Sequence, residues 1–368
     1  MIENNLFSRT LHTIETKRER LLNGKINCIP FGLPRFENQL PGIERGKYYL
    51  ITANSKIGKT QITDWLFLFN TISQIVDNNL NVKLKVFYFT LEMSKEEKML
   101  SAFANILYVK EGLRISPTDL KSTKADKMLS QEVIDIIKKY EIYFNKIEEI
   151  VTFIDDIRNP TGIYKLVRNY ATEHGTIHYK TLTINGVNTD VEDYYVPNDP
   201  EEYVMVIIDH ISLIDTESIN SKQMSLAESM VFLSSNYLIK LRNRFGYIPV
   251  VVQQQSAAQE SVENKKANKL KPTLDGLGDS KLIGRDANVI LGLFSPFRHE
   301  IPEYMGYDIV KFKDKIRFLE IIGGREGGAG TICPLYFDGA TNYFKELPKP
   351  NDKEAMNSVY KFVEKMNV

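Results

Sequence analysis

From about residue 46 onward, short apolar runs alternate with longer stretches whose apolar residues recur at helical spacing. Runs at 48–53, 84–91, 150–154, 203–208, 248–253, 288–294 and 316–322 predict strands. After Lys59, by contrast, Ile62, Trp65, Leu66, Phe69 and Ile72 fall on one face of a helix. Sustained strand–helix alternation predicts an α/β fold, a mostly parallel twisted sheet flanked by helices. The runs 316–322 and 331–337 enclose a glycine-rich stretch, 323–330, and predict a C-terminal β-hairpin at the sheet edge. Upstream, 7–22 has helical character, and a loop dense in breakers (Gly24, Pro30, Gly32, Pro34, Pro41, Gly42) sets it apart. The polar, turn-rich 176–200 predicts a surface insertion. The expected organisation is a helix and loop over 1–30, a main domain over 31–347 and a helical tail over 348–368.

Composition narrows the class without changing that frame. The 368 residues are 43% hydrophobic and 26% charged, ordinary for a globular chain with a sizeable core. Formal net charge is zero, which neither demands nor excludes a nucleic-acid partner. Two cysteines, Cys28 and Cys333, argue against a disulfide framework or a structural zinc and fit a reducing compartment. No apolar run nears the roughly 20 residues that cross a bilayer, and the polar, acidic N-terminus lacks a signal-peptide layout. The expectation is a cytoplasmic protein with no membrane partner. His174 and His178 have helical spacing, but Gly175 between them and the extended pattern of 177–179 argue against a metal pair.

The strand at 48–53 runs into Ala53-Asn54-Ser55-Lys56-Ile57-Gly58-Lys59-Thr60 and then a helix. That is the layout of a phosphate-binding loop. Backbone N–H groups cradle phosphates, the Lys reaches the terminal ones, and the Thr hydroxyl ligates Mg²⁺. Ala53 stands where a glycine is usual and is small enough to leave the loop room. ATP with Mg²⁺ is the ligand set such a loop implies. Its chemistry needs an acidic residue at the end of a buried strand. Asp209, after the apolar run 203–208, and Asp155, after 151–154, both have that form; strand length favours Asp209. Hydrolysis also needs a carboxylate to polarise water. Glu92 directly follows the strand 84–91, at the edge where open α/β sheets bind ligands.

Taken in order, the motifs become specific. Phe89-Thr90-Leu91-Glu92-Met93-Ser94 resembles the strand-and-glutamate motif of DnaB-type replicative helicases, hexameric motors with a RecA-like core. Ile154-Asp155-Asp156 is similar to that family's Ile-Asp-Asp strand. Val206-Ile207-Ile208-Asp209-His210 resembles its Walker B strand, with His210 where Tyr is usual. Val250-Val251-Val252-Gln253-Gln254-Gln255 resembles the strand that ends in a phosphate-sensing Gln. Asp279-Ser280 and Asp286-Ala287-Asn288 resemble the polar loop and strand entry that follow, and Glu320-Ile321-Ile322-Gly323-Gly324-Arg325 the hairpin that carries an arginine finger. The likeness covers roughly residues 5–347 and implies a RecA-like P-loop ATPase core.

The resemblance implies a role for each position. Lys59 would neutralise the β- and γ-phosphates, Thr60 would ligate Mg²⁺, and Asp209 would hold that ion through water. Glu92 would orient the hydrolytic water. Gln255 would contact the γ-phosphate, with Gln254 as the alternative, and Arg325 would reach into a neighbouring subunit's site. The implied partners are further copies in a hexameric ring, single-stranded DNA, and a primase or loader, in the cytoplasm of a bacterium or phage-infected cell. Gly323 and Asn54 depart from the family, which has Lys and Arg there. The chain has no room for the family's separate N-terminal domain, and 7–22 resembles the linker helix that docks on the next subunit. DNA phosphate contacts fall to 215–228, with Lys222, or to 256–285, with Lys265, Lys266, Lys269, Lys271, Lys281 and Arg285. The function implied is an ATP-dependent helicase translocating on single-stranded DNA. The alternatives are a recombinase or helicase-loading ATPase that does not unwind, and a nucleotide-binding assembly protein.

Overall fold

The apolar runs pair into one sheet. A computed structural model describes residues 6–184, 186–219, 221–261, 263–264, 269–325 and 327–366. Among these, nine strands lie side by side in the order Tyr343–Glu346, Ile332–Asp338, Ile316–Gly324, Val289–Phe294, Tyr49–Ala53, Ile248–Gln254, Glu202–Asp209, Lys83–Thr90 and Val151–Ile154. From Val289–Phe294 to Val151–Ile154 every neighbour is parallel; the first three strands join by antiparallel pairing. Parallel strands covered on both faces need apolar residues at successive positions. Accordingly Tyr49, Ile51 and Ala53 pack into one core layer, and Tyr48 and Leu50 into the other. The helices starting at Lys59, Lys95 and Glu141 cover the first face; Pro160–Glu173 and the helices from Leu226 to Phe245 cover the second.

The helix that opens at Lys59 buries its predicted stripe of Ile62, Trp65, Leu66, Phe69 and Ile72. Midway it widens into a π-helical turn, Trp65–Phe69, whose residues are all buried. The strands at 316–324 and 332–338 do pair as antiparallel neighbours, but they are not the edge. Tyr343–Glu346 pairs beyond them, Phe337 opposite Phe344, and is too short for an apolar pattern to mark. Gly175–Ile184 and Val187–Pro197 form a separate two-stranded ribbon. The helix Leu6–Leu22 leaves Leu6, Phe7, Ile14, Leu21 and Leu22 in solvent and is anchored through Arg20, which is buried against Glu201, Asn27 and the Ile26 carbonyl. Helix Lys353–Met366 packs Met356 and Val363 beside Phe312, Phe318 and Tyr336. No described helix is long and apolar enough to cross a membrane.

Candidate functional site

The central strand Tyr49–Ala53 opens at its carboxyl end into the loop 53–60, which bends through positive φ at Lys56 (59°) and Gly58 (107°). A Cβ at Gly58 would also meet Gln61 Oε1 at 3.2 Å and the Phe337 ring at 3.4 Å, so the bend requires glycine. The loop is tied from three directions. Lys59 Nζ donates to the Asn54 carbonyl (3.2 Å), and Asn54 Nδ2 donates to Glu260 Oε1 (3.0 Å). Arg317, on strand Ile316–Gly324 and 1% exposed, donates Nε to the Ile57 carbonyl (2.8 Å) and lies over the Phe337 ring at 4.3 Å. Burial pushes the Arg317 guanidinium down to about 10.

A cleft of about 500 Å³ opens beside this loop, lined by Lys59, Thr60, Glu92, His210 and Gln254 among others. Strand order separates the two candidate aspartates. The Asp209 strand lies two places from the loop strand, roughly 10 Å at the usual spacing; the Asp155 strand lies four places away, roughly 19 Å, at the edge. Thr60 Oγ1 donates to Asp209 Oδ1 at 3.0 Å, with Asp209 buried behind it. Glu92 is more than half exposed, its Oε2 3.9 Å from His210 Nε2. Burial pushes the Lys59 ammonium down, against Glu92, Asp209 and Glu260, and likewise lowers the His210 imidazole. The buried Nδ1 of His210 and Oδ1 of Asn54 have no protein partner. A hydroxyl and a carboxylate in contact are hard oxygen donors of the kind Mg²⁺ takes, and the tight loop with its positive-φ glycine is a phosphate cradle. The residues present therefore fit nucleotide and ion.

One sequence expectation is corrected here. Gln255 does not face the cleft: its side chain is buried, donating Nε2 to Thr52 Oγ1 (2.9 Å) and the Thr273 carbonyl (3.1 Å), while Oε1 accepts from the Thr273 N–H (3.2 Å). Alternation along the strand turns Gln254 the other way, into the cleft. Three further residues were not foreseen. Behind Asp209, Lys98 Nζ donates to Asp209 Oδ2 (3.0 Å), to Asp64 Oδ2 (3.1 Å) and to the Tyr88 hydroxyl (2.6 Å). Burial alone would lower the Lys98 ammonium, but Asp64 and Asp209 outweigh it and hold its pKa above the usual value. Asp64 was the available signal, a carboxylate inside the apolar stripe of the helix from Lys59.

Arg325 stands elsewhere. Tyr49 pairs with Val289 and Val289 with Gly324, so Arg325 lies at the amino edge of the loop strand, separated from the loop by roughly 13 Å of strand. Its N–H donates to the Asn288 carbonyl and its Nη2 to the Arg285 carbonyl, each at 2.9 Å. Lys281, Arg285 and Arg325 line a second cleft of about 460 Å³. Asp286 accepts from Ser234 (2.7 Å) and Ser235 (2.6 Å), anchoring this edge to the neighbouring helix. Lys271 is engaged by Glu320 at 2.9 Å, whereas Lys222 and Lys269 are exposed. Lys265, Lys266 and the side chains of Asp279 and Ser280 lie outside the described residues.

No protein-family model matches the sequence, and no curated protein does. Solved structures do. One, an ATPase domain, matches with a TM-score of 0.66 and 18% identity over 94% of this chain and 100% of that one. A DnaB-like replicative helicase, described with its interactions with primase, matches with a TM-score of 0.64 and 17% identity over 94% of this chain and 68% of that one. Identities this low speak for architecture. The chain has the RecA-like α/β fold of the ATPase domains of DnaB-type helicases.

Proposed function

We propose that the chain is an ATP-driven motor of the DnaB type, a replicative helicase domain that assembles as a hexameric ring on single-stranded DNA and hydrolyses ATP at subunit interfaces. The observation that carries this reading is the division of parts between the two edges of one sheet. Lys59, Thr60, Glu92 and Gln254 gather in the cleft at one edge, while Arg325 stands at the other, too far to serve its own cleft. Lys59 neutralises the β- and γ-phosphates of bound ATP. Thr60, and Asp209 through water, would hold Mg²⁺, whose charge would offset the negative charge that develops on the phosphates. Glu92 accepts a hydrogen bond from the attacking water and orients it, and Gln254 contacts the γ-phosphate from the strand end. Arg325 of the next subunit supplies the cation that completes the site, a contribution of about 10³-fold or more in rate. The exposed apolar residues of helix Leu6–Leu22 offer that subunit a surface to cover, and Lys269, Lys281 and Arg285 are the candidate contacts to DNA phosphates. A primase is the partner class suggested by the helicase that shares this fold.

The test is ATP hydrolysis with and without single-stranded DNA by the wild type, Lys59→Ala and Arg325→Ala. DNA should stimulate turnover, and each substitution should lower it by about 10³-fold. Mixing the two variants should restore part of it, because a Lys59→Ala subunit still donates Arg325. Full turnover by Arg325→Ala removes the shared site. A forked-duplex assay then separates unwinding from translocation alone.

A further inference from the structure

Asp209 presents two oxygens to two different surroundings. Oδ1 accepts from Thr60 at 3.0 Å on the cleft side. Oδ2 accepts from Lys98 Nζ, also at 3.0 Å. The side chains of Lys98 and Asp64 are 1% and 2% exposed, so the ammonium stands between two carboxylates with almost no water. Its position is fixed from several sides. Helix Lys95–Glu111 starts at a capping box in which Ser94 Oγ accepts from the Glu97 N–H (3.2 Å), and Lys98 follows within the first turn. The Tyr88 hydroxyl accepts from Lys98 (2.6 Å) and spends its one proton on the nearer carboxylate, Asp64 Oδ1 at 2.6 Å, rather than on Asp209 at 3.2 Å. That leaves Lys98 as the principal donor to Oδ2.

A pair of Lys98 and Asp64 would already be neutral. Adding Asp209 gives the buried group one net negative charge, which is costly unless a cation stands on its far side. The group meets the cleft at Asp64 and at Thr60, beside Lys59. We infer that Lys98 is a positioning residue for the cation site: by holding Oδ2 it fixes the Asp209 carboxylate so that Oδ1 stays directed at Thr60 and the cleft. Asp64 and Tyr88 serve by holding Lys98. The inference rests on the nucleotide reading of the cleft given above.

The experiment is a Mg²⁺ titration of the binding of a fluorescent ADP analogue to the full chain, with melting temperature measured alongside. The double substitution Asp64→Asn with Lys98→Met removes one charge of each sign, so the group keeps its net charge and loses the hold on Oδ2. Its Mg²⁺ midpoint should rise about tenfold or more, with nucleotide still bound at saturating Mg²⁺. A folded double variant with the wild-type midpoint overturns the inference and makes the group a structural ion pair. Tyr88→Phe keeps every charge and the ring, and decides the matter if the double variant is unstable. It should raise the midpoint about threefold, and no change there overturns the inference equally. Wild-type protein that binds the analogue without regard to Mg²⁺ overturns the reading of the cleft, and the inference with it.

Discussion

At the carboxyl edge of strand Tyr49–Ala53, Lys59, Asp209 and Lys98 are buried and Thr60 bonds to Asp209, whereas at the amino edge Lys281, Arg285 and Arg325 stand in solvent. The first arrangement has its dipoles and charges set within one protomer, so little reorganisation remains when an anion arrives. The second is a group of hydrated cations whose interactions with a partner are still to be made and will be weakened by salt. In the function proposed above, the same sheet carries one edge preorganised for chemistry and one edge poised for association.

Substitutions at the two edges should fail in different ways. After the losses expected for Lys59→Ala and Arg325→Ala, the largest effect is expected at the neighbouring glutamines. Gln254→Ala should lower turnover about a hundredfold with unfolding in urea unchanged, as for loss of one preorganised donor. Gln255→Ala should do the reverse, costing about 2 kcal/mol of stability by leaving Thr52 and Thr273 groups unpaired in the interior. A dependence of turnover on Gln255 alone would assign the phosphate contact to Gln255 and not to Gln254. At the amino edge, Lys281→Ala and Arg285→Ala should each reduce the slope of log affinity for single-stranded DNA against log salt by about 1, read from binding isotherms at several salt concentrations. Unchanged slopes would exclude these two side chains from the DNA contact.

A smaller effect is expected from His210. Its folded-state pKa lies below the ordinary 6.5 because of burial, so the folded protein binds a proton less readily than the unfolded chain. The resulting stability is fully present above about pH 6.5 and is lost as pH falls from there through the folded value. Unfolding midpoints measured from pH 7.5 to 5 should show this loss, and His210→Gln should flatten it. At Asp155, four strands from the loop, Asp155→Asn should leave hydrolysis unchanged in a steady-state assay.

Much of the carboxyl edge was legible because its parts are local. The loop 53–60 is one contiguous motif, and Glu92 and Asp209 each end an apolar run. What stayed hidden depends on contacts between distant segments. Spatial strand order, which puts the Asp209 strand two places from the loop strand and the Asp155 strand four, is not written in chain order. Three identical glutamines carry no mark of which one alternation turns toward the cleft; that is decided by Thr52 and Thr273 capturing Gln255. Lys98 sits in Lys95-Glu96-Glu97-Lys98, which reads as a solvated charge run, and only Asp64, Tyr88 and Asp209 make it an interior cation. Arg317 is similar: an arginine in an apolar strand gives no hint that it braces the Ile57 carbonyl.

Through the pairing of Tyr49 with Val289 and of Val289 with Gly324, each protomer has a front and a back. A two-fold axis sets front against front or back against back, so such a dimer brings an arginine to a cleft only where both edges meet in one contact. Head-to-tail stacking joins them directly, and the same contact can be repeated without limit. If Arg325 is the group that completes the cleft, an open row of any length ends with one cleft short of its arginine and one arginine without a cleft. Adding copies moves that defect along but never removes it. Only a row that returns to its own beginning has no end, and in it alone would every site be whole.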